Sequence, residues 1–219
     1  LSDQWFDAEN PFDGECWAQV PRCNEDDVSY AVNAAKQAFE SGEWPTLSAT
    51  QRGGLLIKAG QLIRQRAERL ATLETKDTGK RFAESLPQMT GIADWFDYYG
   101  GLADKVQGQV IPSNPELVVN YTVHEPLGVV AAITPWNSPI MIAVWKIAPA
   151  LAAGNTVIVK PSEHASTSTL ALMEVFRDAG FPSGVVNVIT GFPTECGQAL
   201  VTHPDVAKVT FTGSDNGGR

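Results

Sequence analysis

The second half of the sequence predicts a doubly wound α/β fold around a mostly parallel sheet, and three observations carry that expectation. Four short runs, at 128–133, 156–160, 185–189 and 206–211, are apolar almost throughout, as strands covered on both faces must be. Between them lie amphipathic stretches of helical length at 138–153 and 166–179 and a shorter one at 194–202. This is the alternation that builds βαβ units. Gly154 and Gly180 follow the last periodic residues of the two longer stretches, with Pro182 just beyond the second, which are helix stop signals. In such a fold the ligand lies outside the carboxyl ends of the strands.

The elements before this alternation read differently. Asn10-Pro11-Phe12-Asp13-Gly14-Glu15 is a turn, followed by a short strand about 17–20. Asn24-Glu25-Asp26-Asp27 opens a helix whose acidic first turn suits the positive end of its dipole. Val28, Ala31, Val32, Ala35, Ala38 and Phe39 form its apolar face, and Gly42 ends it. Ser48 caps a second helix, where Leu55, Leu56, Ala59, Leu62 and Ile63 recur at helical spacing. A third spans 67–78, and a fourth, broken near Pro87 and Gly91, runs to Lys105. The period then changes to two: 117–125 alternates and pairs with 109–112 across Ser113-Asn114-Pro115. The expected organisation is therefore a helical segment at 1–107, a β-hairpin at 108–126 and the α/β core at 127–219.

Composition excludes several functions. The chain has 219 residues, 43% hydrophobic and 19% charged, which is ordinary for a globular protein and unlike a disordered one. Sixteen basic residues against 25 acidic ones give a net charge of −9, which disfavours nucleic acid as a partner. No uninterrupted apolar run is long enough to span a membrane. Cys16, Cys23 and Cys196 are too few and too irregular for a disulfide framework or a metal site. No targeting segment is read at the start, and a cytoplasmic location is expected. The last residues, Gly217-Gly218-Arg219, fall within a motif, so the chain is expected to be a portion of a longer product.

The four strand ends carry Thr134-Pro135-Trp136-Asn137-Ser138-Pro139, Lys160-Pro161-Ser162-Glu163, Thr190-Gly191-Phe192-Pro193-Thr194 and Thr212-Gly213-Ser214-Asp215-Asn216-Gly217-Gly218. None is a G-x-G-x-x-G turn, and Thr78-Gly79-Lys80-Arg81 lacks the rest of a phosphate-binding P-loop. An acid past the second strand is where nucleotide-binding sheets hold ribose hydroxyls. Glu163 stands there, with Lys160 three residues before it. Position alone fits a surface pair at a turn equally well. The fourth end offers backbone N–H groups at a Gly/Ser turn entering a helix, a setting that suits an anion.

Together these segments resemble the aldehyde dehydrogenase superfamily. The resemblance rests on Glu125-Pro126-Leu127-Gly128, Pro135-Trp136-Asn137-Ser138-Pro139, Trp145-Lys146 through Gly154-Asn155, Lys160-Pro161-Ser162-Glu163, Gly180-Phe181-Pro182-Ser183-Gly184 and Phe211-Thr212-Gly213-Ser214. In the first half, Asn10-Pro11, Asp77-Thr78-Gly79-Lys80 and Tyr98-Tyr99-Gly100-Gly101 match as well. It implies a Rossmann-like domain with a non-standard mode of NAD binding, preceded by a helical segment and a hairpin that serves as an oligomerisation arm.

The resemblance also assigns roles. Asn137 would donate its amide to the substrate oxygen, where charge develops during attack; an Asx turn capping the next helix is the alternative. Lys146 would help relay protons, or hold a structural hydrogen bond. Lys160 and Glu163 would hold the adenosine ribose, and Glu163 would repel a 2′-phosphate, favouring NAD, although Ser162 and Lys160 could accept the 2′-phosphate of NADP. Thr134 and Pro135 would line the nicotinamide ribose side, with Trp136 of the same cofactor-binding loop packed beside Asn137, Gly197 would lie under the adenosine end, and Gly213 and Ser214 would meet the pyrophosphate. The apolar Ile140, Met141, Val144 and Trp145 would shape an aldehyde pocket. The sequence departs from the family at Asp215-Asn216-Gly217, where a helical first turn is usual. The family's nucleophilic cysteine and general-base glutamate match nothing in the chain, and Cys196 beside Glu195 lacks a nucleophile's setting. The implied activity is NAD(P)-dependent oxidation of an aldehyde by a homodimer or homotetramer. A non-catalytic nucleotide-binding or assembly relative, and a CoA-acylating relative, are the alternatives.

Overall fold

The computed structural model of the chain describes residues 2–114 and 118–218. Strand β1 (Trp5–Glu9) pairs antiparallel with β2 (Cys16–Pro21), and helices α1 (Glu25–Glu40), α2 (Ala49–Gln65), α3 (Ala67–Thr78) and α4 (Phe82–Leu102) follow. The strand β1 went unseen in the sequence because three of its five residues, Trp5, Asp7 and Glu9, face solvent. Side chains start α1 and α2 as expected: the Asn24 side chain accepts from Asp27 N, and Ser48 Oγ accepts from Gln51 N at 3.2 Å, each answered by a bond in the other direction. These reciprocal pairs satisfy N–H groups that the helix itself cannot.

The fourth helix is not broken. It runs unbroken through Pro87 and Gly91. Pro87 removes one backbone donor near the helix start, a local loss, while Met89, Ile92, Ala93 and Phe96 are buried against the neighbouring helices. Burial of four such side chains outweighs one missing bond. Helices α2 and α4 cross so closely that a Cβ at Gly53 would stand 2.3 Å from the Gly100 carbonyl oxygen. Only glycine fits there.

The hairpin is shorter than expected. Its ladder is β3 (Val110–Ile111) with β4 (Asn120–Tyr121), all four residues exposed. Part of the expected connection, Pro115 to Leu117, lies outside the described residues. A two-stranded ribbon without a core beneath it is marginal in water, which accounts for the contraction.

The sheet consists of β5 (Val129–Ile133), β6 (Thr156–Lys160), β7 (Val186–Val188) and β8 (Val206–Phe211), all parallel, in the spatial order β7-β6-β5-β8. Helix α5 (Pro139–Ala152) joins β5 to β6, α6 (Thr167–Ala179) joins β6 to β7, and a π-helical turn (Pro193–Gly197) with α7 (Gln198–Thr202) leads to β8. The two faces of the sheet sort by strand alternation. Val129, Ala131 and Ile158 pack with Val28, Val32 and Ala35 of α1 and with Leu200 of α7. Ala132, Val157 and Val159 pack with α5 and α6, and that core continues into α2, α3 and α4. Strand β8 differs from the others: among the described residues, Ala207, Lys208, Val209 and Phe211 are exposed. It is an edge strand, and its outer flank has no neighbour among the described residues.

Candidate functional site

From β5 the chain steps outward through β6 and β7, then returns to the far side of β5 as β8. A crevice opens where the direction reverses, at the carboxyl ends of β5 and β8. A groove of about 1020 Å³ occupies this place. Its walls come from four segments: Thr134 to Asn137 after β5, Lys160 with Ser162 to His164 after β6, Pro193 with Gly197, Gln198 and Val201 around α7, and Phe211 to Ser214 after β8. The structure thus brings Thr134, Pro135, Trp136, Asn137, Lys160, Ser162, Glu163, Gly197, Gly213 and Ser214 together.

Two buried polar groups in these walls are incompletely satisfied. Lys160 is 3% exposed, and its Nζ donates to the Pro161 carbonyl at 2.7 Å without an ion-pair partner among the described residues. Burial pushes its ammonium below the usual lysine range, and Glu163 pulls the other way. Thr134 is 2% exposed, and its Oγ1 has no hydrogen-bond partner among the described residues. Buried polar groups are nearly always paired, so an ammonium and a hydroxyl left open on one groove fit a hydroxyl-rich, anionic ligand such as a dinucleotide. The Lys160 stem passes under Gly197, where a Cβ would stand 3.6 Å from its Cε. Ser162 Oγ lies 3.4 Å from Glu163 Oε2, which keeps that carboxylate at the rim. Asn137 is exposed and its side-chain amide makes no hydrogen bond among the described residues.

Other expected residues are placed differently. Lys146 does not line the groove; its Nζ donates to Thr210 Oγ1 of β8 at 3.0 Å, tying α5 to the edge strand. Burial lowers its pKa as well. Gly213 and Ser214 do not enter a helix among the described residues. They begin a turn in which the Ser214 carbonyl accepts from Gly217 N and Gly218 N, each at 3.1 Å. Gly217 inside that turn weakens helical geometry. The Phe211 ring also folds beneath it, 2.5 Å from where a Gly213 Cβ would stand. Of the four pocket candidates, Ile140 and Val144 are fully buried in the core, because α5 turns that face to the sheet and to α4. Only Met141 and Trp145 reach the surface, Trp145 against Trp95 with ring centroids 5.6 Å apart. Cys196 is fully buried, its Sγ 3.5 Å from the Phe192 carbonyl oxygen, and burial pushes its thiol up to about 11. No group of His, Cys, Asp and Glu among the described residues could hold a metal ion.

The profile of the aldehyde dehydrogenase family matches residues 2–219. The chain belongs to this family. It is 50% identical over 208 residues to the (Z)-2-((N-methylformamido)methylene)-5-hydroxybutyrolactone dehydrogenase of Acinetobacter baylyi, covering 95% of this chain and 43% of that protein. Among solved structures, an aldehyde dehydrogenase from Bacillus cereus in complex with NAD+ superposes with a TM-score of 0.94 at 42% identity, covering 96% of this chain and 43% of the other. A betaine aldehyde dehydrogenase point mutant from Staphylococcus aureus, also in complex with NAD+, gives 0.95 at 41% identity, over 98% and 43% of the two chains. The chain therefore spans less than half the length of the aldehyde dehydrogenases it matches.

Some residues of the groove were not anticipated from the sequence. Gln198 and Val201 line it from one face of α7, a three-residue spacing that a helical reading of 194–202 could have singled out. His164, next to the Lys160–Glu163 motif, and Phe211, the first residue of the Phe211–Ser214 motif, also contribute to the wall, although neither was given a role from the sequence. Among the described residues, no helix is long and apolar enough to cross a membrane.

Proposed function

We propose that this chain forms the coenzyme-binding part of an enzyme that oxidises an aldehyde to a carboxylic acid with NAD. The observation that carries the reading is the convergence of an open buried lysine, a rim carboxylate, an unpaired threonine hydroxyl and a free asparagine amide on one groove, at the topological switch point of an aldehyde dehydrogenase family member. NAD, when bound, accepts the hydride that leaves the substrate carbon.

The residues of the chain divide the remaining work. Lys160 and Glu163 would hold the adenosine ribose, with Ser162 orienting the carboxylate and Gly197 leaving room above the Lys160 stem. Backbone N–H groups at Gly213 and Ser214 would face the pyrophosphate, as turn amides do for anions. Thr134, Pro135 and Trp136 would line the nicotinamide side. Asn137 would donate its amide to the aldehyde oxygen as negative charge grows there, a contribution of about 10²–10³ in rate for such a donor. The cysteine that attacks the aldehyde and the glutamate that activates water would come from outside these residues, since Cys196 is buried and its thiol is held protonated. Lys146, bonded to Thr210, would act structurally. The exposed hairpin around Val110 and Tyr121 would pair with another subunit of a homodimer or homotetramer, and sedimentation of the full-length protein as a monomer would remove that part of the reading. Three unpaired cysteines suit the cytoplasm.

Calorimetric titration of NAD into wild type, Lys160→Ala and Glu163→Ala tests the groove. The expected result is tenfold or greater weakening in each variant. Unchanged affinity in both would overturn the ribose assignment. Retention of aldehyde oxidation by an Asn137→Ala full-length enzyme would overturn the role of Asn137.

A further inference from the structure

Two helices start beside the groove, and neither is capped by its own N-cap serine. Ser138, before α5, makes no capping bond; its Oγ lies 2.7 Å from Lys80 Nζ. Ser166, before α6, also makes none, and its Oγ donates to the Ser162 carbonyl at 2.8 Å. Carboxylates from α3 take their place. Glu74, fully buried, accepts from Ile140 N at 3.4 Å through Oε2. Its Oε1 lies 3.1 Å from Lys80 Nζ, which Gln88 Oε1 also holds at 2.8 Å. Asp77, 2% exposed, accepts from Ser168 N at 2.6 Å. Glu74 and Asp77 stand three residues apart and thus share one face of α3. Each meets the N–H of the second residue of a different helix, Ile140 in α5 and Ser168 in α6, where an anion is well placed against the dipole.

We infer that Glu74 and Asp77 are positioning residues for the groove: through α5, Glu74 with Lys80 sets the loop that presents Asn137, and through α6, Asp77 sets the loop that presents Ser162 and Glu163. The functional consequences rest on the reading proposed above. Asn137 precedes Ser138 directly, and its amide has no bond of its own to hold it, so its direction follows the backbone that Lys80 and Glu74 fix. The Ser162 carbonyl is already tied to Ser166, so the start of α6 and the ribose loop move together.

The prediction is a separation of effects along one helix. In the full-length enzyme, with propanal and benzaldehyde as probe aldehydes, Glu74→Ala lowers kcat about tenfold and leaves the Kd values of NAD and AMP within twofold. Asp77→Ala raises the Kd values of NAD and AMP about tenfold and leaves kcat at saturating NAD within twofold. The loss caused by Glu74→Ala disappears in an Asn137→Ala background, which a general loss of stability would not do. Glu74→Gln and Asp77→Asn keep the acceptor oxygen and the volume, and they carry the same separation at smaller amplitude should the alanine variants fail to fold. Parallel effects of the two substitutions on Kd and kcat, or no effect of either, overturn the inference. Full activity and full NAD affinity in Asn137→Ala and Glu163→Ala would instead overturn the functional reading, whatever α3 does.

Discussion

The two rims of the groove are built to different standards. The rim after β6 is embedded: Thr156, Val157, Ile158, Val159 and Lys160 are all buried, helices cover both faces, and α6 begins against Asp77. The rim after β8 is open: most of that strand is exposed, and Gly213 to Gly218 are held by a turn and by the Phe211 ring. Among the described residues, one wall of the groove is embedded and the other is exposed. Preorganisation lowers the ordering cost of binding, so under the proposed reading the embedded rim would contribute most to holding the ligand. Under the same reading, the turn after β8 would offer backbone donors to an anion.

The largest test of this contrast is core truncation. Ile158→Ala removes a fully buried side chain from the middle strand and is expected to cost about 2–5 kcal/mol in urea unfolding. Val209→Ala, on the exposed strand, is expected to stay within about 0.5 kcal/mol. Equal losses would mean that β8 is as embedded as β6, and the comparison would collapse.

The second test is chemical. Cys196 sits against the embedded rim with its thiol near 11, above the ordinary value of 9.0, which leaves roughly a hundredfold less thiolate at neutral pH for alkylation. Cys16 is exposed. Iodoacetamide at pH 8 is expected to label native Cys16 and to spare Cys196 until the protein is unfolded. Rapid labelling of native Cys196 would show that this wall opens readily.

This difference in burial also explains what could be read from the sequence. The runs at 156–160 and 128–133 announce buried parallel strands because coverage on two faces demands apolar residues at every position. The run at 206–211 looks the same, yet its outer flank has no neighbour among the described residues. The helix broken at Pro87 was a fair local expectation, reversed by the tertiary packing of Met89, Ile92 and Phe96. The contents of the groove were legible because its residues cluster at strand ends. Glu74 and Asp77 were not: their partners, Ile140 and Ser168, lie 66 and 91 residues away, and no local pattern encodes such a bond. Lys146 shows the converse, since its place in a motif said nothing of its bond to Thr210.

The smallest effect concerns what braces the embedded rim from outside. Arg22, next to β2, pairs with both carboxylate oxygens of Glu195 and lies over the Phe192 ring at 4.9 Å from its centroid, while Thr190 Oγ1 donates to the Pro21 carbonyl at 2.6 Å. The N-terminal hairpin therefore clamps the turn that carries Gly197. The Arg22 guanidinium holds the Glu195 carboxyl below its usual range. A carboxyl whose pKa is lower in the folded state contributes stability above its unfolded pKa, and that contribution is lost as the pH falls through the folded value. Both groups are well solvated, so the effect is modest. Arg22→Met is expected to lower Tm slightly at pH 7, with the gap to wild type narrowing as the pH falls below the ordinary glutamate value of about 4.3. Arg22→Glu combined with Glu195→Arg re-forms the pair with its charges exchanged and is expected to recover the Tm lost in Arg22→Met. A gap that persists unchanged to pH 3 would assign the loss to packing on Phe192 instead of to charge, and the brace would then belong to the aromatic contact alone.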